Sequence, residues 1–177
     1  MNSIKDRLQF RIAATEDSGD ISGLVNSVYR GENSKKGWTT EADLLDGIRI
    51  TTEKINEIVL SVDNVILFML LDNKIIGCVH LQKKNNKCHL GMLSVDVDFQ
   101  NKGVGKILIG KSEDYAKNEF GCDEMEMKVI GHRTELVEYY QRRGYILTGQ
   151  KEDFVLNAHF GNPKTKDLYF EYLVKQL

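Results

Sequence analysis

"FQNKGVGKILIG", residues 99–110, runs from polar residues into two glycines one position apart and then into an apolar repeat. Glycines spaced in this way let a backbone come close to a phosphate. Residue identities exclude two common phosphate loops. A dinucleotide fingerprint needs a third glycine where Leu108 stands, and a P-loop needs Ser or Thr where Ile107 follows Gly105-Lys106. A strand, a short polar loop and a glycine-rich helix entry remain. The free N–H groups and the dipole of a helix start favour an anion there. Gly103 and Gly105 remove side chains that would hold a diphosphate away, and Lys102 and Lys106 add positive charge. The same residues also read as a tight strand-to-helix turn that needs glycine for its backbone angles alone.

Working outward, "LQFRIA" (8–13) alternates as a strand does. Ile21, Leu24, Val25 and Val28 then line one helix face. A glycine-bracketed loop, "RGENSKKGW" (30–38), leads to "TTEADLLDG" (39–47), expected as a short helix capped by Thr40 and stopped by Gly47. Residues 51–62 give another helix, with Ile55, Ile58, Val59 and Val62 on one side. The period changes over 64–95, which reads as three antiparallel strands turning at Asp72-Asn73 and at "KKNNK". A helix follows from Gly103, then a strand (124–130), a helix (134–143) closed by Gly144, and strands at 145–150 and 167–174. This order is α+β with a mixed, mostly antiparallel sheet flanked by helices, in one domain spanning 1–177.

The chain of 177 residues is 41% hydrophobic and 28% charged, with net charge -2 and pI near 6.1. That balance gives no footing for nonspecific nucleic-acid binding. Cys78, Cys88 and Cys122 are single, without metal-ligand spacing, so no metal site is expected. No stretch reads as a signal peptide or a membrane span, and the longest apolar run, "NVILFMLL", has eight residues. The expected location is cytoplasmic.

"LSVDVDFQNKGVGKIL" resembles motif A of the GCN5-related N-acetyltransferases (GNAT), in which an apolar strand and short loop lead to Q/R-x-x-G-x-G/A. Gln100, Gly103 and Gly105 match that pattern. "TELVEYYQRRGY" resembles their motif B, with Tyr140 at the tyrosine position and Gly144-Tyr145 as the closing pair. The family often has Asn and Ala earlier on that helix, where this chain has Arg133 and Leu136.

The resemblance implies the GNAT fold and acetyl-coenzyme A as co-substrate, with no metal. The loop Gln100, Asn101, Lys102, Gly103, Val104, Gly105 and Lys106 would bind the pyrophosphate. Leu93, Ser94 and Val95 would lie along the pantetheine arm, and Arg133 would stand at a further cofactor contact. Tyr140 would protonate or hydrogen-bond the departing sulfur. His89 falls where one branch of the family carries its base, and Glu41 is a rival near the acceptor; either also reads as a structural residue. Trp38, Thr39 and Glu41 would hold the acceptor amine, unless Trp38 pins its loop, and "FGNPKTK" (160–166) would border it. The implied reaction is direct transfer to a small-molecule or peptide amine, with no nucleic acid or membrane partner. The alternative is a catalytically silent acyl-coenzyme A sensor. Homodimers are common in such proteins and are an open expectation here.

Overall fold

A computed structural model describes residues 7–155 and 161–177. In chain order the elements are β1 (Leu8–Ile12), α1 (Ser18–Tyr29), α2 (Gly31–Ser34), β2 (Leu45–Asp46), α3 (Thr52–Val59), β3 (Asn64–Leu71), β4 (Lys74–Lys84) and β5 (Lys87–Val95). They continue with α4 (Val104–Asn118), β6 (Glu124–Ile130), α5 (Thr134–Gln141), β7 (Ile146–Asp153), β8 (Asn162–Pro163) and β9 (Tyr169–Gln176). Seven strands form one sheet in the order β1-β3-β4-β5-β6-β9-β7, and β2 and β8 pair separately. Only β5 and β6 run parallel, so the sheet is mixed and mostly antiparallel, as the sequence pattern implies.

The meander follows from its turns. Asp72 and Asn73 both take positive φ (50° and 63°), the requirement of a two-residue hairpin turn between β3 and β4. Side chains then alternate across the sheet. Leu67 and Met69 of β3 face α4 and α5, whereas Ile66 and Phe68 face α1 and α3. The expected apolar face of α1 is buried throughout.

Two expectations fail. Residues 39–47 make one turn only, with Leu44 and Leu45 N–H bonded to the Glu41 carbonyl, before β2 begins. Thr40 does cap that turn through Ala42 N–H (3.1 Å), but pairing of Leu45–Asp46 with Asn162–Pro163 draws the chain out straight. The helix expected to reach Val62 stops at Val59, which leaves Val62 94% exposed. Among the described residues, no helix is long and apolar enough to cross a membrane, and no cluster of His, Cys, Asp or Glu is placed to hold a metal ion.

Asn26 ties α1 to the segment before α3. Its Oδ1 accepts from the N–H of Arg49 (2.6 Å) and Ile50 (3.2 Å), and its Nδ2 donates to the Ile50 carbonyl (2.8 Å). Asn26→Ala leaves backbone groups of that segment unpaired. We expect it to lower the unfolding free energy by about 2 kcal/mol in urea titrations.

Candidate active site

β5 and β6 pair only at Lys87↔Glu124, Cys88↔Met125 and His89↔Glu126. Beyond that point β6 stays on β9 as far as Ile130↔Phe170, and β5 stays on β4 as far as Val95↔Gly77. The two strands therefore splay. Opposite Val79, β5 holds both Met92 and Leu93, a bulge with Met92 at φ 55°. The N–H and C=O of one extended residue point to the same strand edge. The Leu93 and Val95 carbonyls, on the gap edge, accept from Tyr29 Oη (2.5 Å) and Gln100 Nε2 (3.0 Å). Their N–H groups share that edge.

The glycine loop closes one end of the gap. Gly103 adopts the left-handed conformation (φ 80°) and precedes α4 with no side-chain cap, so the first-turn N–H groups stay open. Gly105 answers a different constraint: a Cβ there would stand 2.8 Å from the Tyr139 hydroxyl. Loop and gap meet in a cavity of about 240 Å³. It brings together Trp38, Thr39, Leu93, Val95, Gln100, Asn101, Gly103, Gly105, Arg133 and Tyr140 from the sequence reading.

The remaining candidates lie elsewhere. Ser94 is fully buried and donates to the Met92 carbonyl (3.1 Å), and Val104 sits in the core. Lys102 is exposed and donates to the Asp98 carbonyl (2.8 Å); Lys106 is also exposed.

Gln100 joins the loop to the segment above it. Its Oε1 accepts from Trp38 N–H (3.1 Å), and its Nε2 donates to Thr39 Oγ1 (3.1 Å) as well as to Val95. Gly37 permits this approach, since a Cβ there would lie 2.7 Å from Gln100 Oε1. Trp38 packs on Tyr139 with ring centroids 5.1 Å apart. Arg143 stacks on the same tyrosine, its Cζ 3.3 Å from the ring centroid, and donates to the Tyr139 carbonyl (2.6 Å). Tyr29, Tyr139 and Arg143 line this cavity and were not singled out in the sequence. Arg143 lies just past the end of α5, and its place three residues after Tyr140 is the one signal that could have found it.

A second cavity of about 80 Å³ fills the gap itself, between Leu90–Leu93 and Met127–Ile130. Tyr140 lines both cavities. Its ring is buried between Tyr139 and Tyr145, and its hydroxyl has no hydrogen-bond partner among the described residues. Burial pushes its pKa well above the usual tyrosine range, with Tyr29 adding to the rise. Glu41 lines the gap too, but its carboxylate is engaged: Oε2 accepts from Arg30 Nη1 (2.5 Å) and Oε1 from Arg133 Nη1 (3.3 Å). Arg133 also donates to the Thr39 carbonyl (2.8 Å). Of "FGNPKTK", Phe160 lies outside the described residues. Asn162, Pro163 and Lys164 brace β2, and Lys164 Nζ donates to the Ala42 carbonyl (2.7 Å).

The structure does not bring His89 to Tyr140. His89 lines a third cavity on the face under α1 and α3, beside His80. Burial, with a contribution from neighbouring cations, pushes both imidazoles down to about 4. Glu126 lies 3.8 Å from His89 Nδ1, too far for a hydrogen bond that would offset this.

A splayed β5–β6 pair whose mouth is a glycine-loop helix start defines an acyl-coenzyme A-type transferase fold. Residues 25–145, more than half of the chain, match the acetyltransferase (GNAT) family, and the chain belongs to that family. It is 29% identical over 72 residues to the Bacillus subtilis protein YdhI, covering 41% of this chain and 43% of that one. It is 22% identical over 172 residues to N-alpha-acetyltransferase 30 of Xenopus laevis, covering 87% of this chain and 63% of that one. The chain thus spans about half to just under two thirds of the length of these curated relatives. The fold matches the PaiA N-acetyltransferase of Thermoplasma acidophilum in complex with coenzyme A, with TM-score 0.67, 18% identity, and 96% and 99% of the two chains covered.

His80 and His89 make stability depend on pH. The unfolded chain protonates them as pH falls through about 6.5, whereas the folded chain resists until about 4. Their contribution is therefore complete above the unfolded value and lost as pH falls from 6.5 toward 4. We expect a loss on the order of 3 kcal/mol per histidine across that window. His89→Gln should reduce the pH dependence of the melting temperature between pH 7 and pH 5.

Proposed function

We propose that this protein transfers the acetyl group of acetyl-coenzyme A directly to a primary amine within a ternary complex. The observation that carries this reading is that the glycine-loop cavity and the β5–β6 gap share Tyr29, Leu93 and Tyr140 in their walls. The residues present fit coenzyme A. An uncapped helix start behind a left-handed glycine suits a pyrophosphate, and an open strand edge at Leu93 and Val95 suits the amides of pantetheine. The coenzyme A bound by the Thermoplasma protein and the amine-directed name of the Xenopus relative support the same reading.

Bound there, acetyl-coenzyme A supplies an activated acetyl group on a good leaving sulfur. The amine nitrogen forms a bond to the acetyl carbon as the carbon–sulfur bond breaks, and in net one proton passes from nitrogen to sulfur. Asn101, Gly103 and Gly105 position the phosphate end, with Arg143 as an added cation on the cavity wall. Tyr140 stays protonated at any working pH because burial raises its pKa. Full proton transfer from such a group to a thiolate is uphill, so Tyr140 acts as a hydrogen-bond donor to the sulfur as charge develops. Glu41, held by two guanidiniums, positions Arg133 and the Thr39 carbonyl, and proton removal from the amine falls to water.

Tyr140→Phe removes the donor and keeps the ring. We expect kcat in a thiol-release assay to fall about 100-fold, while the Kd for coenzyme A measured calorimetrically changes less than about twofold. An unchanged kcat removes Tyr140 from the chemistry. Tight coenzyme A binding with no turnover across a panel of amines and peptides favours an acyl-coenzyme A sensor instead.

A further inference from the structure

The third cavity, about 440 Å³, is larger than the gap it adjoins. Both are lined by Arg49, Gly91, Met92, Lys128 and Phe170, so the two adjoin along these residues, and Leu93 lines the gap beyond them. Among the described residues, four basic side chains line the larger chamber, Arg49, Lys54, Lys84 and Lys128, against one acidic, Glu152. Glu57 lies 2.6 Å from Lys54, and Glu152 2.8 Å from Lys128. Lys84 has no carboxylate within ion-pair distance among the described residues. Arg49 stands at the joint itself, with its guanidinium 5.8 Å from the ring of Tyr29, the residue that holds the Leu93 carbonyl. His80 and His89 flank Gly91 on the same wall, each with a ring atom within 4.0 Å of where a Cβ at Gly91 would stand. Lys84 contributes to keeping both rings uncharged.

A chamber lined in this way repels a polycation and attracts an anion. Building on the acetyltransferase reading, we propose that it seats the acceptor, and that the acceptor is an amine bearing an anionic group held by Arg49 and Lys84. The amine points through the joint toward Leu93 and Tyr140. The anion can belong to a small molecule, as a carboxylate or a phosphate, or to an acidic side chain beside a peptide amino terminus. All of these present an amine and an anion a few bonds apart.

Thiol release from acetyl-coenzyme A tests this with matched acceptors: glutamate against its diamide, phosphoethanolamine against ethanolamine, Asp-Ala-Ala-amide against Asn-Ala-Ala-amide, and spermidine alone. We expect kcat/KM at least tenfold higher for the anionic member of at least one pair, and the pair that responds identifies the source. Lys84→Glu and Arg49→Gln should each bring that ratio within twofold; Lys84 is exposed, so its exchange spares the core. Equal rates within every pair, a preference for spermidine, or a ratio indifferent to both substitutions overturns the proposal. If no acceptor releases thiol, the transferase reading fails, and the anion site is decided separately. The ring C–H resonances of His80 and His89 are then followed on titration with N-acetylglutamate and with phosphoethanolamine. A saturable shift lost in Lys84→Glu upholds the site, and no shift with either probe overturns it.

Discussion

The separation of two neighbouring strands after three residue pairs governs the rest of this molecule. A parallel pair inside a sheet would ordinarily continue, because each abandoned backbone group costs roughly 1–3 kcal/mol if it is buried and unmet. Here the abandoned edge is met by side chains. Tyr29, at the end of α1, takes the Leu93 carbonyl, and Gln100, at the start of the glycine loop, takes the Val95 carbonyl. The helix on one face and the loop on the other thus hold the gap open. The glycine-loop cavity, the gap and the third cavity are all lined by residues of β5 between His89 and Val95.

The ion cluster behind the gap has a similar role. Arg30 at the end of α1, Glu41 in the turn before β2 and Arg133 at the start of α5 come from three distant segments. All three are at least nine-tenths buried, and such charges are tolerable only while each is paired. Removing one member strands the others, so the cluster fixes how α5 approaches the 38–41 segment. Tyr140 rides on α5 and Trp38 on that segment. The separation of the tyrosine hydroxyl from the cavity roof is therefore set by electrostatics as well as by packing.

What was legible in the sequence was local. The glycine loop could be read because its constraints, a left-handed backbone at Gly103 and a close approach at Gly105, act within a few residues. Tyr140 and the meander could be read for the same reason, helix spacing and turn residues being short-range. The partners of Glu41 could not, since one lies 92 positions away. Position 89 shows another limit. Counting in twos from Val95 through Leu93 and Gly91 places His89 on the face of Leu93. The bulge at Met92 inserts one residue, so Cys88 and Leu90 share the core side with Val95, and His89 turns to the opposite face. No local signal in "KCHLGMLSV" announces that bulge, because Met92 is not a residue type that favours positive φ.

Overall charge concealed the local field in the same way. A net charge of -2 summed over 177 residues gives no footing for anion binding. Folding sorts those charges. The α4 start, Arg143 and Arg133 gather along the cavity that leads into the gap, and Arg49, Lys84 and Lys128 gather along the chamber beyond it. Acidic residues such as Glu32, Glu57 and Asp72 stand outward on the surface. Cations gathered on one wall reinforce one another's field there, while carboxylates that stand apart are screened by solvent and salt. A chain that is slightly acidic as a whole can thereby present a positive passage at both ends of its gap, and that passage, rather than the sum over the sequence, is what a ligand meets.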